Sequence, residues 1–291
     1  MKPSENKMRN TIVCFGEILW DLLPQGKKLG GAPFNVAAHF ALLGNESYIL
    51  SSIGKDELGE EILSVLKEYP VNCGLLQTSQ NRPTSTVEVS LDNSGKPSYT
   101  IKENVAWDEI QSSPEIIETI SKASALVFGT LALREDKNRS TLEQMAKHAK
   151  LRVLDLNLRC SYFSKDFIMK MISNCDVLKL NDEELETIAQ YFQKTTSDTI
   201  EAILEDAAGP HLIVLTKGED GADAYIKGES FYAPGIKVEV VDTVGSGDAF
   251  LAGFLDHYLN GFSIDACLEK GCRLGAEVAS KAGAIPLEQY F

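Results

Sequence analysis

The run Asp242-Thr243-Val244-Gly245-Ser246-Gly247-Asp248-Ala249-Phe250 opens a helical stretch that extends to about Leu259. Two glycines in three residues at a helix start let the backbone turn tightly and expose successive N–H groups. Those amides, together with the helix dipole, make a site for an anion. A carboxylate at Asp248 would repel a phosphate there unless it had a task. Accepting the proton of an attacking hydroxyl is such a task. On spacing alone, a glycine-rich turn followed by a first-turn helix acid explains the same residues. Both readings stand at this level.

Other groups able to do chemistry follow apolar runs: Asp21 in GEILWD, Asp155-Leu156-Asn157-Leu158-Arg159, Asn181-Asp182-Glu183-Glu184, and Thr216-Lys217-Gly218-Glu219-Asp220-Gly221. Each has an ordinary reading when taken singly. Asp21 reads as a solvated loop acid and Asn35 as a polar residue early in a helix. Arg159 reads as a surface salt-bridge partner. Asn181 is a good N-cap with an acid, Glu184, three residues behind it. Thr216 to Gly221 fits a plain strand-turn-strand connection.

The elements that must position these groups are legible as short apolar runs at 11–15 (TIVCF), 47–53, 125–128, 152–154, 176–180 and 212–215. Helical periodicity fills the intervals at 33–43, 58–68, 139–150, 183–192 and 199–207. This alternation predicts an α/β fold with a mainly parallel sheet flanked by helices on both faces. Ligands of such sheets bind at the carboxyl ends of strands, which is where the polar groups fall. Segments 18–30 and 85–102 break the alternation, the second around the turn Asn93-Ser94-Gly95. Together they predict a small antiparallel β-lid at the sheet edge; an ordinary edge hairpin fits the same pattern. No repeat, low-complexity tract or linker divides the chain, so 1–291 reads as one folding unit.

Composition narrows the partners. Apolar residues make up 44% and charged residues 24%, an ordinary globular balance that argues against long disorder. With 28 basic and 42 acidic residues the formal charge is -14, which lacks the basic stripe that nucleic-acid binding requires. Phosphate must therefore be held by local geometry, because the overall field repels anions. The first ten residues are polar, and no run is long enough to cross a bilayer. The six cysteines (14, 73, 160, 175, 267 and 272) lack metal-ligand spacing and are read as reduced thiols of a cytoplasmic protein.

The segment 242–255, DTVGSGDAFLAGFL, resembles the C-terminal signature of the ribokinase-like (phosphofructokinase-B) carbohydrate kinases. Gly30-Gly31-Ala32-Pro33-Phe34-Asn35-Val36-Ala37, followed by Gly44 and Gly54, resembles their N-terminal signature. The two signatures stand about two hundred residues apart in the right order, and the resemblance runs from about Thr11 to Pro286. It implies transfer of the γ-phosphate of ATP to a sugar hydroxyl, with Asp248 as base. It also implies an anion hole at Gly245, Ser246, Gly247 and Asp248, fitting a reaction governed by positioning and charge stabilisation. Asp21, Gly31 and Asn35 are implied as sugar-binding residues, and Arg159 as a partner of the transferring phosphate or the sugar. On the nucleotide side the resemblance implies Asn157 facing the phosphates. Thr216, Gly218 and Gly221 would line ATP, and Asn181 and Glu184 would act on hydrated Mg²⁺ through water.

One departure is Cys272, which stands where many relatives carry an asparagine beside adenine. It leaves the preference for ATP less secure than nucleotide binding itself. Potassium sites of some relatives lie near segments matching Asp242 and Gly283, so K⁺ joins the implied cofactors. Fructokinase-like members often pair through their lids, which implies a homodimer. The runs ENVAWD (103–108), FGTLALR (128–134) and DLNLR (155–159) are similar to fructokinase-like members and favour fructose; ribose and ketodeoxygluconate are the alternatives. Trp107 is expected to wall the sugar pocket or to pack the lid. A dinucleotide-binding oxidoreductase fails because Phe250 stands where the fingerprint needs a small residue, and no P-loop pattern is present. A sugar sensor that had lost its chemistry should have lost the base or the anion-hole glycines, and both are kept.

Overall fold

Strand TIVCF alternates its side chains between two cores, and that alternation sets the layers of the molecule. In the computed structural model, which describes residues 9–23, 26–91, 97–159 and 163–287, β1 (Thr11–Phe15) is buried on both faces. Ile12 and Cys14 enter one core with Phe34, Phe254 and Leu268. Val13 and Phe15 enter the other with Trp107, Ile188 and Ile200. A strand covered on both sides reads as a continuous apolar run, which is why it was visible in the sequence.

The chain continues through β2 (Leu19–Leu23), β3 (Gly26–Gly30), α1 (Ala32–Leu42), β4 (Glu46–Gly54), α2 (Glu57–Val65), β5 (Leu76–Ser79), β6 (Ser85–Leu91) and β7 (Pro97–Ile101). Then come α3 (Pro114–Lys122), β8 (Ala125–Gly129), α4 (Asp136–Ala146), β9 (Arg152–Asp155), α5 (Lys165–Ile172), β10 (Val177–Asn181), α6 (Asp182–Phe192) and α7 (Thr196–Glu205). The last elements are β11 (Leu212–Thr216), β12 (Ala222–Ile226), β13 (Glu229–Ala233), α8 (Ser246–Tyr258) and α9 (Ile264–Ala279). The main sheet has the order β13-β12-β11-β10-β9-β8-β1-β4-β5 and is parallel except at β12 and β13. Helices α1, α2, α8 and α9 supply one core, and α3 to α7 contribute to the other.

A second sheet, β3-β2-β6-β7, forms the lid. Its two hairpins are antiparallel, as expected, but they join side by side through a parallel β2·β6 pairing. The chain returns to the main sheet between the hairpins, so β6 re-enters running in the same direction as β2. The turn Asn93-Ser94-Gly95 lies outside the described residues; β6 and β7 flank it and pair from Val87↔Ile101 to Leu91↔Pro97.

Two boundaries shift for a local reason. Asp176 was expected inside a strand but precedes β10, where it takes Arg152 Nη2 at 2.6 Å and Nε at 2.9 Å. The helix expected at 139–150 runs from Asp136 to Ala146, and the Arg139 guanidinium folds back on Leu133 O at 2.6 Å. The five described cysteines form no disulfide, and Cys160 lies outside the described residues. Among the described residues no helix is long and apolar enough to cross a membrane.

Candidate active site

Two helix starts meet at the carboxyl end of the sheet. Helix α8 begins at Gly245, whose φ of +79° is left-handed and whose missing Cβ leaves room for Ala284; a Cβ there would stand 2.7 Å from its atoms. Ser246 Oγ donates to Gly275 O at 2.9 Å and so ties this start to α9. The first-turn amides of Gly247 and Asp248 have no intrahelical acceptor, as at any helix start. Helix α1 begins at Gly31, and its Asn35 donates from Nδ2 to Asp248 Oδ2 at 2.8 Å. Gly31 has φ +112°, and a Cβ would stand 2.4 Å from Glu17 O, so only glycine fits.

The loop packed on Gly245 is held in turn. His39, buried on α1, lies 2.8 Å from Ala284 O through Nε2. Burial pushes its pKa down to about 4, so the neutral ring donates to that carbonyl. Asp242 closes the other side, accepting from Val244 N and Gly283 N at 3.0 Å each.

Strand register brings a buried ion pair to the same place. Lys179 on β10 stands beside Asp155 on β9, with Nζ 2.9 and 3.2 Å from the two carboxylate oxygens. That ammonium also reaches the first turn of α8, for a Cβ on Gly247 would lie 3.2 Å from it. Burial works against the Lys179 charge, but Asp155, then Glu184 and Asp248, hold its pKa above the ordinary lysine value. Burial, and next the charge of Asp155, push Asp248 up to about 6, opposed by the Asn35 hydrogen bond, Lys179 and Arg159. A half-buried carboxylate with that pKa is ionised at neutral pH and still basic enough to accept a proton.

The DLNLR run is pinned at alternate amides: Leu156 N donates to Lys179 O at 2.9 Å and Leu158 N to Glu184 Oε1 at 2.7 Å. Asn157 between them takes a left-handed φ of +38°, strained for a residue with a Cβ. Arg159 is exposed and within electrostatic reach of Asp248, Asp21 and Glu17, where its charge partly opposes the rise that burial gives all three carboxyl groups. Asp21, on the lid strand β2, is pushed up to about 6 by burial despite Arg159. Its Oδ2 closes on Gly30, where a Cβ would stand 2.4 Å away.

Asn181 and Glu184 form a capping box at the start of α6: Asn181 Oδ1 accepts from Glu184 N at 2.8 Å, and Glu184 Oε2 accepts from Asn181 N at 2.9 Å. Burial raises the Glu184 pKa. The loop from Thr216 to Gly221 is a tight connection between antiparallel β11 and β12. Gly218 is exposed at φ +55° with open space around it.

Two expected site residues are buried. Trp107 is fully buried in the core, with the Arg134 guanidinium 4.1 Å above its ring, so no face is open to a sugar. Its apolar bulk is better satisfied behind the site than in a polar pocket. Gly221 is also buried; a Cβ would stand 2.1 Å from Ala233 O, so this glycine shapes the loop from within. Cys272 reaches the same Ala233 carbonyl, with Sγ at 4.0 Å, and burial pushes its thiol up to about 11. It packs as a small apolar side chain there.

Lys179, Glu17 and His39 were missed in the sequence. A lysine inside the apolar run VLKLN was a signal, since a buried strand admits a cation only beside a carboxylate. An acid directly after a buried strand was another. Nothing marked His39.

The pfkB family of carbohydrate kinases matches residues 12–289. A fructokinase of Klebsiella pneumoniae is 30% identical over 264 residues, covering 85% of this chain and 84% of that protein. A probable chloroplastic fructokinase-6 of Arabidopsis thaliana is 29% identical over 275 residues, covering 87% and 71%. In three dimensions, a fructokinase of Xylella fastidiosa solved with bound ATP superposes with a TM-score of 0.84 at 23% identity, covering 96% and 95%. The chain belongs to the pfkB family of carbohydrate kinases and is an ATP-dependent sugar kinase.

Proposed function

We propose that this chain is a cytoplasmic fructokinase that transfers the γ-phosphate of ATP to a hydroxyl of fructose. The observation that carries the reading is the Asp248 carboxylate, held by Asn35 at the first turn of α8 and flanked by Lys179. In this reading Asp248 takes the hydroxyl proton as the phosphoryl group arrives. The Gly245–Asp248 turn and Lys179 neutralise the charge that develops on that group, and Arg159 completes the clamp from the exposed side. Asp21 on the lid and the Gly31–Asn35 start of α1 hold the sugar. Asn157, Thr216 and Gly218 border the nucleotide, with Cys272 packed behind it.

Mg²⁺ fits at Asn181 and Glu184 through water. Both Glu184 oxygens are already oriented by amides, and each keeps a lone pair for a metal-bound water. When bound, the ion would lessen the charge of the ATP phosphates. Potassium near the Asp242–Gly283 loop and a lid-to-lid homodimer belong to the same reading. Sedimentation velocity checks the dimer, and a single monomer boundary at micromolar concentration would remove it.

The deciding experiment is ADP release from Mg·ATP with fructose, ribose, ketodeoxygluconate, glucose and adenosine, with and without potassium. The highest kcat/KM is expected with fructose. Preference for another sugar would overturn the substrate and leave the kinase intact.

A further inference from the structure

Helix α1 presents two polar side chains on one face. Asn35 and His39 stand four residues apart, about one turn of helix, and both are buried. Asn35 donates at 2.8 Å to Asp248, the third residue of α8. His39 lies 2.8 Å from Ala284 O. Ala284 in turn fills the space beside Gly245, the N-cap of α8, where a Cβ would stand 2.7 Å from its Cα, Cβ and O. One face of α1 thus addresses both ends of the first turn of α8, Asp248 directly and Gly245 through a single intervening residue.

Gly245 needs that support. No side chain caps α8 from this position, and its φ is +79°. Glycine itself prefers neither sign of φ, so its surroundings must hold the conformation. The loop that packs against it is tied three times. Val241 N and Asp242 N donate to Ala279 O at 2.9 and 3.2 Å, and the Asp242 carboxylate accepts from Gly283 N at 3.0 Å. Both of these ties come from the segment that leads into α8, so they can shift together with the turn they support. The third crosses from α1, through the His39 ring. That ring is fully buried and held neutral by burial, and its Nε2 proton goes to a carbonyl that can only accept. A polar ring in such a place is kept where it is paired.

We propose that His39 is a positioning residue of the phosphoryl side: its ring N–H holds the Ala284 carbonyl against Gly245 and so fixes the turn that aims the first amides of α8. Asn35 and His39 then divide the work, the one orienting the base and the other the donors opposite the moving phosphoryl group. The role rests on the reading of the Gly245–Asp248 turn as the anion hole.

The test compares His39→Leu, which fills the space without a donor, with His39→Gln, whose amide can still donate. His39→Leu is expected to lower kcat by about 10–100-fold, with KM for ATP and for the best acceptor sugar within about threefold. Inhibition by Mg·ADP with aluminium fluoride, a mimic of the phosphoryl group in transfer, should weaken by a similar factor with that sugar present. Hydrogen exchange at residues 245–249 and 283–285 should rise. His39→Gln is expected to recover most of the loss in all three readouts. Should His39→Leu not fold, His39→Met takes its place. Unchanged exchange in the variant without a donor would overturn the proposal at His39 itself. Raised exchange with unaltered kcat and analogue inhibition would overturn it through the anion-hole reading. A glutamine variant as impaired as leucine would reduce His39 to a packing residue and overturn it as well.

Discussion

Asp248 is held in the folded state at a pKa of about 6, above the ordinary aspartate value of 3.8, and that displacement has two opposite consequences. For turnover, the base must be ionised, so kcat/KM should fall about tenfold per pH unit below 6. For stability the sign is reversed: a raised carboxyl pKa favours folding below the unfolded value and works against it as pH rises through 6. Asp248→Asn should therefore lower kcat by about 1000-fold or more. It should also gain about 1–3 kcal/mol of stability at pH 8, a gain that shrinks below pH 6 and vanishes near pH 3. Kinetics and urea unfolding at the two pH extremes check both; more than a tenth of wild-type kcat would remove Asp248 as base. Lys179 makes a second case. Lys179→Met should cut kcat by about 100–1000-fold. It should also destabilise by about 3–5 kcal/mol, since Asp155 is left buried and unpaired. Lys179→Met with Asp155→Asn should regain melting temperature and not turnover; a folded, active double variant would leave the pair a structural one. Asp248 and Asn35 were legible because their glycine-rich signatures are local. Lys179 was hidden because its meaning lies in the register of β9 and β10, a relation between strands that sequence spacing does not record.

At the scale of elements, the main strands were readable because burial on both faces demands continuous apolar runs, as TIVCF shows. The lid was readable only as two interruptions. Its parallel β2·β6 join depends on a pairing between residues such as Trp20 and Thr86, and nothing local to either strand encodes that choice. Edge elements of low apolar content, such as β13, also left little trace. The start of α1 shows how much one position can carry, because Gly31 serves both the turn and the close approach of Glu17 O, beside the proposed sugar site. Gly31→Ala should cost about 1–3 kcal/mol from the strained φ and the clash. It should weaken the acceptor side by more than about tenfold in kcat/KM through displacement of Asn35. Melting and steady-state kinetics of the variant measure both, and near-normal sugar kinetics would separate the α1 start from the acceptor site.

The whole molecule is a large sheet carrying a small one, and the two hairpins of the lid are not equally free. The β2–β3 hairpin is docked on α2: Trp20, almost fully buried, donates from Nε1 to Leu58 O at 3.0 Å, and Lys27 pairs with Glu61. Lys27 also lies 5.1 Å from the centroid of the Trp20 ring. Gly16 and Gly31, at the two ends of that hairpin, are each wedged against neighbouring backbone or side chains. The β6–β7 hairpin pairs with β2 by one parallel ladder and is tied at its base, where Thr84 Oγ1 donates to Asp56 Oδ1 at 2.6 Å and Lys102 O accepts from Arg134 Nη2 at 2.7 Å, while β7 forms the outer edge of the small sheet. If the lid closes over sugar to exclude water from the phosphoryl group, the movement should fall on this second hairpin. Saturating fructose is then expected to slow hydrogen exchange in residues 85–91 and 97–102 by at least about tenfold. Exchange in 19–23 and 26–30, already anchored, should change much less. Equal protection of both hairpins would mean that the lid moves as one sheet on the α2 contact, and Glu61→Gln should then accelerate closure. Unchanged exchange in 85–102 would leave the lid a fixed wall, with Asp21 in place before the sugar arrives.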